Sequence, residues 1–334
     1  MQGTEPGGSI TVESIDFSVL DQLWSEYGHA WKWHNPFITP AWLKAWWNVY
    51  GGNSKLLLTL VARDGKPIGI APLMVDDCTA RIIGSADLCD TGDVIIAAHE
   101  EKPFFAALLG FLESLQISRL VLEPVRPDST AHAVARAAFR SAAWSSTTTP
   151  LNRSLEMVLP DSWQGYLAGL GSKQRHEVRR KLRRLNERGD IVLREVGTAE
   201  ETEEAMTQFI DLFQKSRKDK ASFMNETREL FFRRLADELF TAGMLRLQEV
   251  SINGVTAAMV FCIEHANMLY LYNNGYNPKF KELSIGLMSK VLSIKAAIEA
   301  NLATYDFLGG TERYKYQLGG REVVLYSCVF ERLS

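Results

Sequence analysis

The stretch that decides the fold reads Tyr270-Leu-Tyr-Asn-Asn-Gly-Tyr-Asn-Pro-Lys-Phe-Lys-Glu-Leu-Ser-Ile-Gly286, and apolar residues at helical spacing follow it from Leu287 to Ala300. This order predicts a strand, an outward-turning loop and a helix with a free N-terminus. The first amides of a helix have no partner within the helix and attract anions. We therefore expect an anion-binding corner suited to a phosphate-bearing carrier. The residues expected at this corner are Lys281, Ser284, Ile285, Gly286 and Leu287.

The rest of the chain repeats this architecture without repeating its sequence. Period-two strands lie on both sides of Asn253-Gly254 in the second half and of Asp64-Gly65 in the first, and both dipeptides indicate hairpin turns. In each half a helix and a short apolar strand follow. The layer order predicts an α+β fold of two similar domains, each a mixed, mostly antiparallel sheet flanked by helices.

The length of 334 residues fits two domains. The polar, turn-prone cluster Ser145–Pro150 is the best boundary, so we predict domains at residues 1–150 and 151–334. The N-terminal domain is expected to be the degenerate copy.

Composition and motifs exclude several classes of protein. With 46% hydrophobic residues, 23% charged residues and a net charge of -3, the chain is typical of a soluble globular protein. No apolar run approaches the length of a membrane helix, and no basic n-region with an apolar segment opens the chain, so we expect no membrane insertion and a cytoplasmic location. The four cysteines and six histidines lack metal-ligand spacing. We therefore expect no metal and four buried, reduced thiols.

The segment from Lys173 to Arg188 carries eight Lys/Arg residues at helical spacing. Three interpretations stay open: a solvated cationic face, a clamp for a phosphate-bearing donor or acceptor, and an RNA-contacting surface. Farther along, Tyr270, Tyr272 and Tyr276 alternate along one predicted strand, where their rings would share a face and line an acceptor groove or pack in the core.

These segments together resemble the GNAT acyltransferase superfamily, and more narrowly its CelD-like acetyltransferase branch, which is related to Fem-type peptidoglycan aminoacyl transferases. The resemblance extends over most of the chain. The segments that carry it are Pro36-Phe-Ile-Thr-Pro-Ala-Trp-Leu-Lys-Ala-Trp-Trp47, Ser172-Lys-Gln-Arg-His-Glu-Val-Arg-Arg-Lys-Leu-Arg183, Tyr272-Asn-Asn-Gly-Tyr276, Tyr305-Asp-Phe307 and Gly309-Gly-Thr-Glu-Arg-Tyr-Lys315. One departure is that Lys281-Glu-Leu-Ser-Ile-Gly286 matches the usual GNAT phosphate loop only loosely.

The resemblance implies an acyl-CoA donor, most simply acetyl-CoA, and places an acidic residue followed by Tyr-Lys at the site. An attacking amine must lose a proton, which a carboxylate takes up. Glu312 is our first choice for this base and Asp306 our second, with Tyr314 donating to the leaving thiolate. Glu312 and Lys315 at i, i+3 would otherwise form a plain surface pair. The expected substrate-binding residues are Lys315, Tyr272, Asn274, Arg175, Arg179 and Arg180.

Three hypotheses follow for the function. The first is direct transfer of an acyl group from acyl-CoA to an amine of a small-molecule or sugar-type acceptor. The second replaces the thioester with aminoacyl-tRNA, although the acidic chain makes nucleic acid the less favoured partner. The third is a GNAT-like binding module without activity. The sequence leaves the oligomeric state open.

Overall fold

Two-residue turns with left-handed backbone set the hairpins of this chain. Asp64 and Gly65 have φ of 51° and 75°, and Asn253 and Gly254 have φ of 50° and 76°. The strand register closes directly around each turn. Positive φ at both positions matches the twist of the flanking strands, and Asn, Asp and Gly adopt it most readily. Both predicted hairpins are confirmed.

The structure, a computed structural model, describes residues 8–84, 87–137 and 143–333. The chain forms two compact units, one made of Met1–Asn152 with Val324–Ser334 and one of Arg153–Val323. The assignment of domains to residues 1–150 and 151–334 stays a prediction. In the described part of the chain, no helix is both long enough and apolar enough to span a bilayer.

The first unit holds one mixed sheet with helices. Its helices are α1 (Phe17–Tyr27), α2 (Pro40–Tyr50), α3 (Glu101–Ser114) and α4 (Thr130–Arg136). Its strands are β1 (Ile10–Ile15), β2 (Lys55–Arg63), β3 (Lys66–Asp76), β4 (Thr79–Ile82), β5 (Ile95–Ile96) and β6 (Arg119–Val125). The order is β1-β2-β3-β4-β6, with β5 beside β3. Only β4 and β6 run parallel among these pairs.

The second unit has the same plan. Its helices are α5 (Trp163–Gly169), α6 (Ser172–Asn186), α7 (Ala199–Ser216), α8 (Lys218–Phe223), α9 (Glu226–Thr241), α10 (Ile285–Glu299) and α11 (Arg313–Gln317), with a 3₁₀ helix at Pro278–Leu283. Its strands are β8 (Ile191–Glu195), β9 (Leu245–Ile252), β10 (Val255–His265), β11 (Met268–Tyr276) and β12 (Thr304–Gly309). Two further strands, β7 (Trp144–Val158) and β13 (Arg321–Arg332), contribute residues to both units.

The sheet of the second unit runs β7-β12-β11-β10-β9-β8, and only β11 and β12 are parallel neighbours in it. Both units therefore contain an antiparallel meander, a helix, and a strand parallel to the last strand of the meander. This repeat confirms the predicted α+β fold class and its mixed, mostly antiparallel sheets.

Apolar side chains from α10 and the meander form a core in the second unit. Ile294 and Ile298 on α10 pack with Val260 and Leu271 of the strands. A separate group of rings joins Phe209 of α7 to Phe232 of α9 and Phe261 of β10. The two groups hold α10 and the α7–α9 helices against the sheet, which fixes the ends of β11 and the start of α10.

Two local predictions are wrong. The cluster Ser145–Pro150, expected to be a turn-prone junction, lies inside β7, because consecutive β-branched threonines favour extended backbone. Cys78 is exposed, whereas Cys89, Cys262 and Cys328 are buried free thiols as expected.

Candidate active site

The parallel strands β11 and β12 part within the sheet of the second unit. They pair only where Met268–Tyr270 lies beside Thr304–Asp306. Beyond these residues β11 continues to Tyr276 beside β10, whereas Gly309 at the end of β12 pairs with Ser154 of β7. We call the opening between the two strand ends the strand gap. Strand edges at such an opening leave backbone groups available for other partners.

The helix that starts beside β11 has a partly open N-terminus. Ser284 precedes α10 in left-handed conformation, with φ of 55°, and no side chain caps the helix. The amide of Ser284 donates to the Lys281 carbonyl, and the amide of Leu287 donates to the Ser284 carbonyl, both at 2.9 Å. Within the described residues, the amides of Ile285 and Gly286 have no hydrogen bond. Two of the four predicted amides therefore remain available for an anion.

Gly286 has a packing role in this turn. A Cβ at this position would lie 2.6 Å from Cδ1 of Tyr276, so the absence of a side chain lets the tyrosine ring lie against the first turn of α10. Tyr272 packs elsewhere, with its ring 5.5 Å from that of Phe232 and 5.7 Å from that of Phe261. The register of β11 on β10 shifts at Tyr272, since Cys262 pairs with Leu271 and the next residue back, Phe261, pairs with Asn273. The prediction that these tyrosines share a face is therefore wrong for Tyr272 and Tyr276, because a bulge interrupts the alternation of side chains between the two faces of β11.

The turn after β12 is organised by a buried lysine. Lys315 is 3% exposed, and its Nζ donates to the carbonyls of Leu308, Gly309 and Gly310. The same Nζ lies 3.1 Å from Oε2 of Glu312, whose side chain is 55% exposed. The predicted i, i+3 pair exists, but its lysine is buried. Glu312 therefore keeps a solvent-facing carboxylate on a turn that Lys315 holds in place.

The second candidate base has a structural role. Asp306 is 3% exposed, and its Oδ1 accepts a hydrogen bond of 2.7 Å from the amide of Leu308. Leu308 has φ of 59°, in the left-handed region. The carboxylate thus stabilises the backbone where β12 turns towards Glu312.

Tyr314 is held in its protonated form beside this turn. Burial raises the pKa of its hydroxyl, and the negative charge of Glu312 raises that pKa further. Nζ of Lys290 lies 4.9 Å from the centre of the tyrosine ring, within the range of a cation–π interaction. The phenol is therefore a hydrogen-bond donor near neutral pH.

The sequence of this region matches a known family. Residues 172–316 match the family described as "Acetyltransferase (GNAT) domain". The matched range contains α10, the strand gap and the Glu312–Lys315 turn. The chain is accordingly an N-acyltransferase of the GNAT type. The CelD-like branch stays a prediction.

Solved structures share the fold of this GNAT enzyme at low identity. The crystal structure of FemX superposes with a TM-score of 0.65 at 11% identity, covering 95% of this chain and 96% of the other. L-PGS from Bacillus licheniformis gives 0.57 at 11% identity, covering 95% and 92%. The C-terminal domain of a putative lysylphosphatidylglycerol synthetase from Agrobacterium fabrum gives 0.54 at 10% identity, covering 85% and 86%. A search of curated proteins by sequence gives no match.

The predicted arginines of the GNAT domain lie on α6, and no hydrogen bond joins them to the Glu312–Lys315 turn within the described residues. Arg175 donates from Nη1 to the Ala168 carbonyl at 3.1 Å, and Arg180 forms two hydrogen bonds to Glu177. Arg179 lines an open groove of about 570 Å³ between α5 and α6, together with Trp163. Arg175 and Arg180 thus bond within the α5–α6 region, and Arg179 faces its groove.

Two lysines of the GNAT domain were missed by sequence reasoning. Nζ of Lys220 donates to the Asn274 carbonyl and lies 3.4 Å from Asn274 Oδ1. Nζ of Lys290 donates to the Gly286 carbonyl at 2.7 Å, and Nδ2 of Asn274 reaches the same carbonyl at 3.5 Å. Lys290 had a signal, since it precedes Ile294 and Ile298 at i, i+4 spacing on a buried row. Lys220 had no such signal in the sequence, because it lies in a charged run that is typical of a solvated surface.

Within the described ranges, no group of three or more His, Cys, Asp or Glu side chains is arranged to hold a metal ion.

Proposed function

We propose that the chain transfers an acetyl or other acyl group from acyl-CoA directly to an amine of a small-molecule or sugar-type acceptor. The observation that carries this proposal is the parting of β11 and β12 next to the uncapped start of α10. We infer that the arm of an acyl carrier enters between the parted strands, while the helix start offers amides for its phosphates. We place the reaction in the cytoplasm, where such donors are made.

The residues at the helix start fit a diphosphate. The amides of Ile285 and Gly286 lack partners within the described residues, and a helix N-terminus carries partial positive charge that favours anions. Lys281 lies exposed in the preceding 3₁₀ helix, where its ammonium would add to this field. Bound at this corner, the thioester would supply an activated acyl group.

The turn after β12 supplies the proton chemistry. We assign Glu312 the proton of the attacking amine, since its carboxylate is accessible and its turn is fixed by Lys315. Tyr314 keeps its hydroxyl proton because burial and Glu312 both raise its pKa. It is therefore suited to donate a hydrogen bond to the leaving sulfur. Asp306 maintains the turn and does not exchange a proton in this scheme.

Acetylation of a panel of amines by the purified chain tests the proposal, with acetyl-CoA binding followed by calorimetry. We expect Glu312→Gln to lower kcat by about 100-fold or more, the usual contribution of a general base, while acetyl-CoA affinity stays within about twofold. Glu299→Gln is the matched control, because Glu299 is an exposed acid at the far end of α10 that pairs with Lys295. Near-normal turnover by a folded Glu312→Gln variant removes Glu312 as the base. Absence of acetyl-CoA binding by the wild type removes the donor.

A second candidate donor is aminoacyl-tRNA, which the exposed cations of α6 favour. Lys173, Arg179 and Arg184 on α6, and Arg188 just after it, are exposed and form no ion pair among the described residues. The groove beside Arg179 also contains Trp163, and aromatic rings with arginines suit an RNA end. A steep loss of tRNA affinity with rising salt would support this donor. No RNA binding at low salt excludes it and leaves α6 a solvated face.

A further inference from the structure

Two lysines that the transfer reaction above does not use converge on Asn274 and Gly286 at the strand gap. Lys220 comes from α8 and holds the Asn274 carbonyl, while Lys290 comes from α10 and holds the Gly286 carbonyl. The side chain of Asn274 contacts both groups, through Oδ1 to Lys220 and through Nδ2 to the Gly286 carbonyl. The two amines are therefore linked through one buried amide.

Neither amine has a neutralising partner. Within the described residues, no carboxylate lies at ion-pair distance from Nζ of Lys220 or Lys290. Glu312 acts electrostatically on both amines and Asp219 on Lys220, but Glu312 already pairs with Lys315 at 3.1 Å and Asp219 with Arg217 at 2.8 Å. Lys290 is only 7% exposed, so water does little to stabilise its charge. A buried cation without a counter-ion is costly.

The titration of the pair reflects this cost. Burial, followed by the charge of Lys220, lowers the pKa of Lys290 to about 7. Burial and then Arg217 lower the pKa of Lys220 to about 8. The other charged or titratable groups acting on the pair are Asp219, Cys262, Glu312 and Lys315. An anion bound by both amines would raise both pKa values, because it favours their charged forms.

We propose that Lys220 and Lys290 form a subsite for a phosphate-like dianion carried by a substrate of the transferase. Backbone carbonyls and the Asn274 amide position the two amines, and the dianion supplies the counter-charge that the protein lacks. The anion belongs either to the acceptor or to the phosphates of the donor. The identity of the carrier rests on the proposed acyl transfer, whereas the binding of a dianion does not.

Calorimetric titration of the full chain with sulfate tests the subsite. Sulfate is a dianion that does not titrate near neutral pH, so any proton uptake comes from the protein. At pH 7.5 we expect uptake of protons on binding, measured from the heats in two buffers of different ionisation enthalpy, and weaker binding at pH 9. Lys290→Met and Lys220→Met should each weaken binding about tenfold or more, the loss of a charge-assisted hydrogen bond.

Lys295→Met is the matched control, because Lys295 is a partly exposed lysine of the same helix that pairs with Glu299. Its sulfate affinity should equal that of the wild type. Thermal unfolding checks that the Met variants are folded. Wild-type protein without sulfate binding, binding without proton uptake, or folded Met variants with unchanged affinity would each overturn the subsite.

A second titration, with coenzyme A at saturation, separates the two sources. Sulfate that still binds assigns the subsite to an anionic acceptor, and sulfate displaced by coenzyme A assigns it to the donor. Sulfate binding in a protein that fails to acetylate any amine keeps the subsite and removes the proposed reaction, so the two failures are distinguishable.

Discussion

Replacement of Lys290 by Met is expected to stabilise the protein most at neutral pH, with the advantage shrinking as the pH rises. In the unfolded chain the amine has its ordinary pKa of 10.5, whereas burial and the neighbouring charge of Lys220 lower it to about 7 in the fold. Between these two values the unfolded chain binds more protons than the folded one. Raising the pH therefore stabilises the wild type through this residue.

The expected size follows from the difference between the two pKa values. Over the whole interval the linkage amounts to about 5 kcal/mol, and between pH 7 and pH 9 to about 2 kcal/mol. The packing effect of Met does not depend on pH and cancels in the trend. Lys220 still titrates in the variant, where burial and Arg217 continue to lower its pKa.

Urea unfolding followed by circular dichroism at pH 7, 8 and 9 measures the difference in the free energy of unfolding between variant and wild type. It should fall by about 2 kcal/mol across this range, whereas for Lys295→Met it should stay constant, because Lys295 is partly exposed and pairs with Glu299. A difference for Lys290→Met that does not change with pH would mean that the buried amine keeps its proton. The electrostatic argument for the Lys220–Lys290 subsite would then be wrong.

Two further predictions concern packing and pH in the two units. Gly275→Ala should lower the free energy of unfolding by about 1–3 kcal/mol, because the new Cβ would lie 2.5 Å from the backbone nitrogen of Phe213. Gly169→Ala is the control, because its methyl group would meet nothing within 4 Å. Equal stability of the two variants would contradict the close packing of α7 on β11. His34→Gln should cost roughly 1 kcal/mol at pH 6 and less at pH 8.5 in urea unfolding followed by tryptophan fluorescence. Burial lowers the pKa of His34, but hydrogen bonding and charge from Asp93 outweigh it and raise that pKa. The contribution of His34 to stability is therefore complete below its ordinary pKa and is lost as the pH rises through the raised value. A cost that does not change with pH would contradict the ion pair between His34 and Asp93.

The sequence predicts most of the fold because its local signals agree with the tertiary structure. The two hairpin dipeptides have the left-handed backbone that their residue types favour. Thr198 caps α7 through its side chain, which accepts from the amide of Glu201, as the capping-box pattern predicts. The repeated order of meander, helix and strand then restricts the topology.

The candidate site is less predictable because its geometry depends on contacts between distant segments. Lys220 reaches the strand gap only because α8 packs on α7 and brings the amine to Asn274, 54 residues farther along the chain. The bulge in β11 turns Tyr272 and Tyr276 to different helices. The even spacing of the two tyrosines in the sequence gives no sign of it. The sequence predicts that Gly286 serves a phosphate loop, whereas in the structure the Tyr276 ring leaves no space for a side chain at this position.

The charges at the strand gap bear on the acceptor itself. Lys220, Lys290 and Lys315 bring three amines to the edges of β11 and β12. Of the two carboxylates of β12 and the turn after it, Asp306 is buried and accepts from the Leu308 amide, and only that of Glu312 is largely exposed. An acceptor amine bound there would have its own pKa lowered by these cations, since like charges disfavour its protonated form. The acceptor amine would then bind largely in its neutral, nucleophilic form, so Glu312 would have to take up only the proton released during the attack. A negatively charged group elsewhere on the same acceptor would offset the repulsion, so the arrangement favours an amine that also carries an anion over a simple cationic amine.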